Sequence, residues 1–165
     1  MFEYFTALFN GYKLVLLTEN EQDSSSIISK IIKYNKNSSL FVTPNQIESF
    51  LDDPLFEESM NNISILVLAG ELLNDDLRER LLQCASDDAQ IFDVYGTTET
   101  HIITVNDIRK SRERGGKKPE GVYVRIIDNE GMLLPPFMRG QIVVKTPFMS
   151  DQNKYRGNKF IDIIG

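Results

Sequence analysis

The 165-residue sequence contains a single cysteine, Cys84, and a single histidine, His101. One cysteine cannot form a disulfide within the chain, and no cluster of cysteines and histidines could hold a structural zinc ion. A lone histidine also excludes a catalytic histidine pair. We interpret Cys84 as buried packing and His101 as an incidental pocket-wall or surface residue.

Basic residues are in the minority, because 18 Lys and Arg stand against 24 Asp and Glu, for a net charge of -6. Nucleic-acid binding relies on basic side chains that neutralise phosphates, so no nucleic-acid partner is expected. The longest apolar run is well below the ~20 residues of a membrane span. The first residues lack the basic-then-apolar order of a signal peptide. We therefore expect a cytoplasmic protein that has no membrane partner.

The residues that are abundant indicate a folded, soluble chain. Apolar residues make up 41%, charged residues 25% and aromatic residues 10%. This is the composition of a globular protein, and a chain of this length is expected to bury roughly 70% of its extended-chain surface on folding.

Short apolar runs alternate with helical patterns over residues 1–114, which predicts an α/β fold with a mostly parallel sheet flanked by helices. Strands are predicted at 12–17, 40–43, 63–68 and 90–94, and helices at 24–34, 45–51 and 73–82. The last helix is the clearest, since it has an apolar stripe of leucines and Asn74 as an N-cap. Residues 115–148 are predicted to be a small β-rich segment, with strands at 122–127 and 141–145 and a turn at 128–131.

Two predicted strands end in turns that contain glycine, Leu68–Glu71 and Asp93–Thr100. Ligands of an open α/β sheet bind at the carboxyl ends of its strands, so we expect both turns to face one crevice. Gly70 and Gly96 allow the backbone to come close to a ligand. The side chains that could contact a nucleotide are Tyr95 for a base, Thr97 and Thr98 for phosphate, and Glu99 for magnesium.

No established catalytic motif accompanies these turns. The Gly115–Pro119 segment does not have the spacing of a nucleotide-binding Gly-x-x-x-x-Gly-Lys-Ser/Thr loop. No Ser/His/Asp set can be identified either, and we assign no catalytic residue.

The order of five segments resembles the adenylate-forming (AMP-binding) enzymes, in particular the amino-acid adenylation domains of nonribosomal peptide synthetases. Phe2–Gly11 is similar to Trp-Glu-x-Phe-x-x-Leu-x-x-Gly, and Thr43-Pro44 to a Thr-Pro pair before a short helix. Leu68–Leu72 is similar to Ala-Gly-Glu-x-Leu. Tyr95–Glu99 is similar to Tyr-Gly-Pro-Thr-Glu, with Thr97 in place of proline. Val124–Ile142 is similar to the stretch that ends in Gly-Glu-Leu-x-Ile.

The resemblance implies an adenylation-domain core and a role for each matching residue. Tyr95 would stack on adenine, Thr98 would contact the α-phosphate, and Glu99 would hold magnesium. The other residues of the implied nucleotide site are Gly70, Glu71, Asp93, Gly96 and Thr97. An apolar acyl pocket would be lined by Phe2, Val67, Ala69, Val94, Ile102 and Ile103.

The resemblance also implies parts that these residues do not supply. They are a phosphate loop with its lysine, an aspartate that binds a substrate amine, an aspartate that binds the ribose, and a C-terminal domain with a catalytic lysine. Residues 149–165 resemble a remnant of the start of that C-terminal domain. ATP or AMP and magnesium are therefore expected as ligands only if the site is still functional, and none otherwise.

Three interpretations follow from this incomplete pattern. The chain could be part of an adenylation domain that activates a carboxylic or amino acid as an acyl-adenylate, and inactive alone. It could be a degenerate pseudo-adenylation domain with a structural or domain-interaction role. It could also be a nucleotide-binding regulatory module. The expected partners are neighbouring synthetase domains, namely a carrier protein and the remainder of the adenylation domain.

Overall fold

The computed structural model describes residues 2–112, 115–147 and 161–163. Contacts divide the chain into two compact units, residues 1–92 and 93–165, and the boundary falls inside a strand. The helices are α1 (Phe2–Phe9), α2 (Glu19–Gln22), α3 (Ser25–Tyr34), α4 (Pro44–Leu51), α5 (Pro54–Ser59), a 3-10 turn (Met60–Asn62) and α6 (Asp75–Cys84). The strands are β1 (Ser38–Val42), β2 (Ile63–Ala69), β3 (Gln90–Thr97), β4 (His101–Asp107), β5 (Tyr123–Ile127), β6 (Gln141–Lys145) and β7 (Ile161–Ile163).

The fold class is α/β, as the alternating pattern predicts. Four strands form a mixed, mostly parallel sheet in the order β1-β2-β3-β4, and three form a small antiparallel sheet in the order β5-β6-β7. β1 and β2 are parallel, with Leu40 opposite Leu66 and Val42 opposite Leu68. The crossover between them contains α4 and α5, as a parallel connection requires.

Local capping signals explain where the helices of the first unit begin. The Asn74 side chain accepts a hydrogen bond of 2.7 Å from the Leu77 N–H, so the predicted N-cap of α6 is confirmed. At α4, the Thr43 hydroxyl accepts from the Gln46 N–H at 3.3 Å, and the Gln46 side chain accepts from the Thr43 N–H at 3.2 Å. This reciprocal pair satisfies two backbone donors at the start of the helix, and Pro44 occupies its first turn.

The core of the first unit lies between these helices and strands. Phe50 and Phe56 pack with ring centroids 5.2 Å apart, and both side chains are buried. Fully buried aliphatic side chains come from α4, β2, α6 and β3, namely Ile47, Leu51, Leu66, Leu68, Leu77, Leu81 and Ile91. The leucine stripe predicted for α6 therefore faces the interior.

The second unit contains β4 and the antiparallel sheet. Residues of β5 pair with β6 from Tyr123 opposite Lys145 to Ile127 opposite Gln141. The Asp128 carboxylate accepts from the N–H groups of Glu130 at 2.9 Å and Met132 at 2.8 Å, which forms the predicted turn. Ile103, Val122 and Val144 make a buried apolar cluster, against which Val124 and Ile142 pack.

Three details differ from the sequence-based expectations. Residues 12–17 are not a strand, and Val15 and Leu16 are exposed. β4 was not predicted, and β3 continues to Thr97 rather than ending at Val94. The compact units divide at 92/93, and Ile103 of β4 lies in the same unit as the residues next to and within β5 and β6 with which it packs. The domain boundary expected at 114/115 stays a prediction.

Most of the segment 149–165, interpreted as a possible remnant of a C-terminal domain, lies outside the described residues, apart from β7, which pairs with β6. No helix within the described ranges is both long and apolar enough to cross a membrane.

Candidate nucleotide site

The Tyr-Gly-Thr-Thr-Glu segment lies where two adjacent strands are joined. Tyr95, Gly96 and Thr97 are the last residues of β3, and Thr98–Thr100 form the turn that leads into β4. A connection of three residues between neighbouring strands makes them antiparallel. The expectation of a turn starting at Tyr95 is therefore wrong, because hydrogen bonding with β4 extends the strand through these residues.

Hydroxyl groups fix the geometry of this turn. The Thr97 and Thr100 hydroxyl oxygens are 3.0 Å apart, and the Thr100 backbone N–H donates to the Thr97 hydroxyl oxygen at 3.3 Å. Thr100 has no exposed surface. A buried hydroxyl requires hydrogen-bond partners, and Thr97 supplies one.

Glu99 projects from the turn into solvent. The Thr97 hydroxyl, and after it the backbone N–H of Glu99 itself, hold the pKa of the Glu99 carboxylate below its ordinary value. Donors that stabilise the charged form keep the carboxylate ionised. Glu99 is thus an exposed carboxylate next to Thr98, which is also exposed.

The carboxylate oxygens of Glu99 suit magnesium, because this ion binds through one or two carboxylates together with phosphate oxygens and water. The described residues contain no group of three or more His, Cys, Asp or Glu that could hold a metal without such a ligand. Glu99 would therefore hold the ion together with the phosphates of a nucleotide.

Gly96 is required by a close approach of two backbones. A methyl group at its Cα would overlap the His101 carbonyl oxygen and would also meet the Ile102 Cα at 3.1 Å. His101 is exposed and has a φ of +56°, in the left-handed region that few residues other than glycine adopt. These positions agree with the interpretation of His101 as a surface residue.

The side chain of Tyr95 is 41% exposed, so its ring is accessible to a planar partner. Asp93 and Val94 precede it in β3 and are half-buried. All of these residues belong to the second unit, together with Thr97, Thr98 and Glu99.

The predicted acyl-pocket residues differ in burial. Val67 and Ala69 are half-buried and lie on one face of β2, while Leu66 and Leu68 of the opposite face are buried. Ile102 is also half-buried, whereas Ile103 is 1% exposed in the cluster with Val122 and Val144. The assignment of Ile103 and the other residues to an acyl pocket stays a prediction. The side chain of Phe2 lies outside the described residues.

The first unit brings Gly70 and Glu71 to the start of α4. Gly70 has a φ of +91°, and the nearest side-chain atom to a Cβ placed there is Thr43 Cγ2, at 3.9 Å. The Glu71 carboxylate accepts a hydrogen bond of 3.0 Å from the Asn45 backbone N–H. The Thr43-Pro44 and Gly70-Glu71 segments, which the sequence treats separately, are therefore in contact. That they share one crevice with Tyr95–Glu99 stays a prediction.

Thr100 and Asn45 take part in these contacts, but neither was proposed as a site residue from the sequence. Thr100 anchors the turn, and its spacing of three residues from Thr97 within a Thr-Thr-Glu-Thr run was the available signal. Asn45 contributes only a backbone N–H to Glu71, and no side-chain pattern could have identified it.

An open groove of about 340 Å³ lies elsewhere in the first unit. Its lining residues are Pro54, Glu57, Glu58, Asn61, Gln83 and Cys84, and none of them belongs to the predicted site. Cys84 is half-buried rather than fully buried, and its thiol contacts the Leu81 carbonyl oxygen at 3.7 Å.

Comparison with known proteins defines the family to which this chain belongs. The family model of AMP-binding enzymes matches residues 1–152. The chain therefore belongs to the AMP-binding enzyme family, whose members are adenylate-forming enzymes.

The relatives are of two kinds. Human mitochondrial acyl-coenzyme A synthetase ACSM5 is 25% identical over 143 residues, which are 86% of this chain and 24% of that protein. Bacitracin synthase 3 of Bacillus licheniformis is 26% identical over 143 residues, which are 85% of this chain and 2% of that protein. The chain thus spans about a quarter of the length of this acyl-coenzyme A synthetase.

Solved structures share the fold at lower identity. The o-succinylbenzoate CoA synthetase MenE of Bacillus subtilis has a TM-score of 0.77 and 19% identity, over 96% of this chain and 34% of that one. The anthranilate CoA ligase AuaEII, in complex with anthranoyl-AMP, has a TM-score of 0.74 and 21% identity, over 92% of this chain and 31% of that one.

Proposed function

We propose that this chain supplies the magnesium- and phosphate-contacting part of the nucleotide site of an adenylate-forming enzyme. The observation that carries the proposal is the turn between β3 and β4, which presents the exposed carboxylate of Glu99 beside the exposed Thr98. In the proposed site Tyr95 stacks on adenine, Thr98 donates to the α-phosphate and Glu99 holds magnesium. Gly70, Glu71 and Asp93 contribute to the edge of the adenine pocket.

The proposed reaction is the attack of a carboxylate on the α-phosphorus of ATP, which forms an acyl-adenylate and releases pyrophosphate. Magnesium, when bound, neutralises charge on the phosphates. The acyl group then passes to a thiol. The half-buried apolar side chains of Val67, Ala69, Val94 and Ile102 support an apolar acyl substrate.

The two kinds of relative differ in the thiol that would accept the acyl group. We favour the thiol of a carrier protein in a nonribosomal peptide synthetase, because the five sequence segments match the adenylation-domain pattern. The similarity to bacitracin synthase 3 supports this choice, although the similarity to acyl-coenzyme A synthetases is comparable. Our proposal therefore includes neighbouring synthetase domains as partners and a cytoplasmic location.

The chain is not expected to complete adenylation alone. Its phosphate-loop lysine, ribose aspartate and catalytic lysine would have to come from other parts of a longer enzyme. Removal of one preorganised group that stabilises the transition state typically lowers the rate about 10²–10³-fold. We expect no ATP–pyrophosphate exchange by these 165 residues.

Thermal denaturation with and without Mg·ATP tests the nucleotide site. Binding to the native state at ten times Kd stabilises by about 1.4 kcal/mol, which raises Tm by roughly 3–6 °C. Glu99→Gln should abolish most of this rise. Glu130→Gln, which removes an exposed carboxylate from the turn after β5, is the matched control and should retain it. A folded protein whose Tm does not change up to about 10 mM Mg·ATP would contradict the proposal.

The second candidate is a pseudo-adenylation domain that binds another protein. Support comes from apolar side chains left exposed at the N-terminal end, namely Phe5, Leu8, Phe9, Tyr12 and Leu16. Single exposed apolar residues are ordinary, but several within twelve positions are typical of an interaction surface. This candidate predicts no effect of Mg·ATP on Tm and a stable complex with an adjoining synthetase domain. Leu8→Asp and Phe9→Asp should weaken that complex without lowering Tm.

A further inference from the structure

A strongly basic segment follows β4 in a chain that is otherwise acidic. Six of the 18 Lys and Arg lie within the ten positions 109–118, together with one glutamate. The other 155 positions hold 12 Lys and Arg against 23 Asp and Glu. Cations that stand close together repel one another, so their concentration in one place opposes folding. The described part of this segment, residues 108–112 and 115–118, is the basic loop.

Backbone contacts attach both ends of the basic loop to β4. At its end, the Val105 N–H donates to the Lys117 carbonyl oxygen at 2.9 Å, and the Lys117 N–H donates to the Val105 carbonyl oxygen at 2.8 Å. Gly116 lies so close to β4 that a methyl group at its Cα would overlap the Val105 carbonyl group. At its start, the Asp107 carboxylate accepts from the Arg109 N–H at 3.1 Å. The two ends of the loop are therefore held side by side.

The cations of the basic loop are accessible to a partner. The exposed ones are Lys110, Arg112, Lys117 and Lys118. Lys110 forms an ion pair of 2.7 Å with Asp107. Within the part of the chain that the structure describes, no carboxylate pairs with Arg112, Lys117 or Lys118. These three side chains present positive charge that the carboxylates of another molecule can reach.

The basic loop is separate from the candidate nucleotide site. β4 connects the turn that carries Glu99 to the start of the loop. Its seven residues rise about 3.3 Å each, so its two ends lie roughly 20 Å apart. A phosphate bound beside Glu99 is therefore out of reach of the cations in the loop, and a ligand of the loop is additional to the nucleotide.

The composition of the loop restricts the chemistry of its partner. It contains no aromatic ring on which a nucleic-acid base could stack. Its one apolar residue, Ile108, is buried, so the loop has no side chain that could insert into a membrane. Exposed Lys and Arg pair with exposed carboxylates, and such pairs orient a protein partner and speed its association more than they add affinity.

We propose that the basic loop is a docking surface for an acidic segment of another protein, which it binds through Arg112, Lys117 and Lys118. Charge complementarity carries the proposal, because three accessible cations stand together on a loop that is attached at both ends. The proposal goes beyond the nucleotide site and does not depend on it, since the loop lies at the opposite end of β4.

Two variants of equal charge separate the basic loop from the general charge of the chain. The loop variant combines Arg112→Gln, Lys117→Gln and Lys118→Gln, which leave the backbone pairing with β4 in place. The control variant removes three exposed cations elsewhere by Lys30→Gln, Lys36→Gln and Arg139→Gln. Thermal denaturation checks that both variants fold. If the loop variant does not fold, Lys118→Gln alone replaces it, because residue 118 makes no backbone hydrogen bond to β4.

The probe is a fluorescent helical peptide with glutamates at every third or fourth position, and the same peptide with glutamines there is its control. Fluorescence anisotropy at low salt should show the glutamate peptide binding to the original protein and to the control variant. Its binding to the loop variant should be about tenfold weaker, since three exposed ion pairs are lost. About 0.5 M NaCl should remove this difference, because salt screens exposed charges. Mg·ATP should not displace the peptide, and the peptide should shift the amide NMR signals of the basic loop.

Several outcomes would overturn the proposal. Equal weakening in the loop and control variants would mean that only the general charge matters, and equal binding of the glutamine peptide would mean that carboxylates do not. Single-stranded RNA or phosphatidylserine vesicles that bind more tightly than the peptide, and lose this binding in the loop variant, would assign the loop to another class of partner. Dimerisation that the loop variant abolishes would make a second copy of the chain the partner. A failure of Mg·ATP to bind would contradict the proposed function and leave these measurements unaffected.

Discussion

The carboxylate of Glu71 accepts a hydrogen bond of 3.0 Å from the backbone N–H of Asn45, which lies 26 positions earlier in the sequence. Asn45 is the second residue of α4, where backbone N–H groups have no partner within the helix. The partial positive charge at that end of a helix favours a carboxylate. Glu71 therefore attaches the turn after β2 to the start of α4.

Replacement of Glu71 by alanine should lower the free energy of unfolding by about 0.5–1 kcal/mol, because the Asn45 N–H loses its charged acceptor. Glu71→Gln should have a smaller effect, since an amide oxygen still accepts. Urea denaturation measures both, with Glu48→Ala as the control for an exposed glutamate of α4. A loss no larger than that of Glu48→Ala would show that the contact contributes nothing to stability.

Sequence patterns predicted the elements whose signals are local. The start of α6 follows from Asn74 and the two aspartates after it, and the β5–β6 turn follows from Asp128 and Gly131. The apolar run at 12–17 carries an equally clear strand signal, yet it is not a strand. Strand propensity stabilises a strand only when a partner supplies hydrogen bonds, and no strand among the described residues pairs with this run.

The residues of the candidate site were proposed from the sequence, whereas the contacts among them could not be deduced from it. β4 contains His101, Thr104, Asn106 and Asp107, which interrupt the apolar pattern, and the pairing with β3 could not be deduced from it. The hydrogen bond between Glu71 and Asn45 depends on the tertiary fold, since neither residue has a local signal for the other. The contact between Thr97 and Thr100 depends on the burial of Thr100, which is also a property of the folded chain.

Acid pH should weaken the first unit through Asp53, the N-cap of α5. The Ser25 hydroxyl donates to the Asp53 carboxylate at 2.8 Å, and the Leu55 N–H donates at 2.9 Å. The hydrogen bond from Ser25, followed by that from Leu55, lowers the pKa of Asp53 below its ordinary value. A lowered pKa in the folded state means that the stabilisation is complete above the unfolded-state pKa of about 3.9 and is lost as the pH falls through the folded value.

Ser25→Ala should raise the pKa of Asp53 toward its ordinary value and flatten the decrease of Tm with acid. NMR titration of the Asp53 carboxyl carbon and Tm measurements between about pH 2 and 6 check both effects. Ser26→Ala removes an exposed hydroxyl from the same turn of α3 and should change neither. An unchanged pKa of Asp53 in Ser25→Ala would contradict the assigned cause.

Ile103 and Ile102 should respond differently to truncation because only Ile103 lies in the buried cluster with Val122 and Val144. Ile103→Ala should lower the free energy of unfolding by about 2–5 kcal/mol, through lost burial and the cavity left behind. Ile102→Ala, at a half-buried position, should cost less. Denaturant unfolding of both variants measures the difference, and equal losses would contradict the assignment of Ile103 to the core.

Gly96→Ala should destabilise the β3–β4 hairpin by about 1–3 kcal/mol, since the added methyl group overlaps the His101 carbonyl oxygen and the two backbones must move apart. The movement should change the amide chemical shifts of residues 97–102. Gly131→Ala adds the same group where no atom lies within 4 Å, so its cost comes only from the φ of +82° and is about 1–2 kcal/mol. Because the hairpin positions Thr97 and Glu99, Gly96→Ala should also weaken Mg·ATP binding, whereas Gly131→Ala should not. Retention of the original amide shifts in Gly96→Ala would show that the two strands are farther apart than the structure has them.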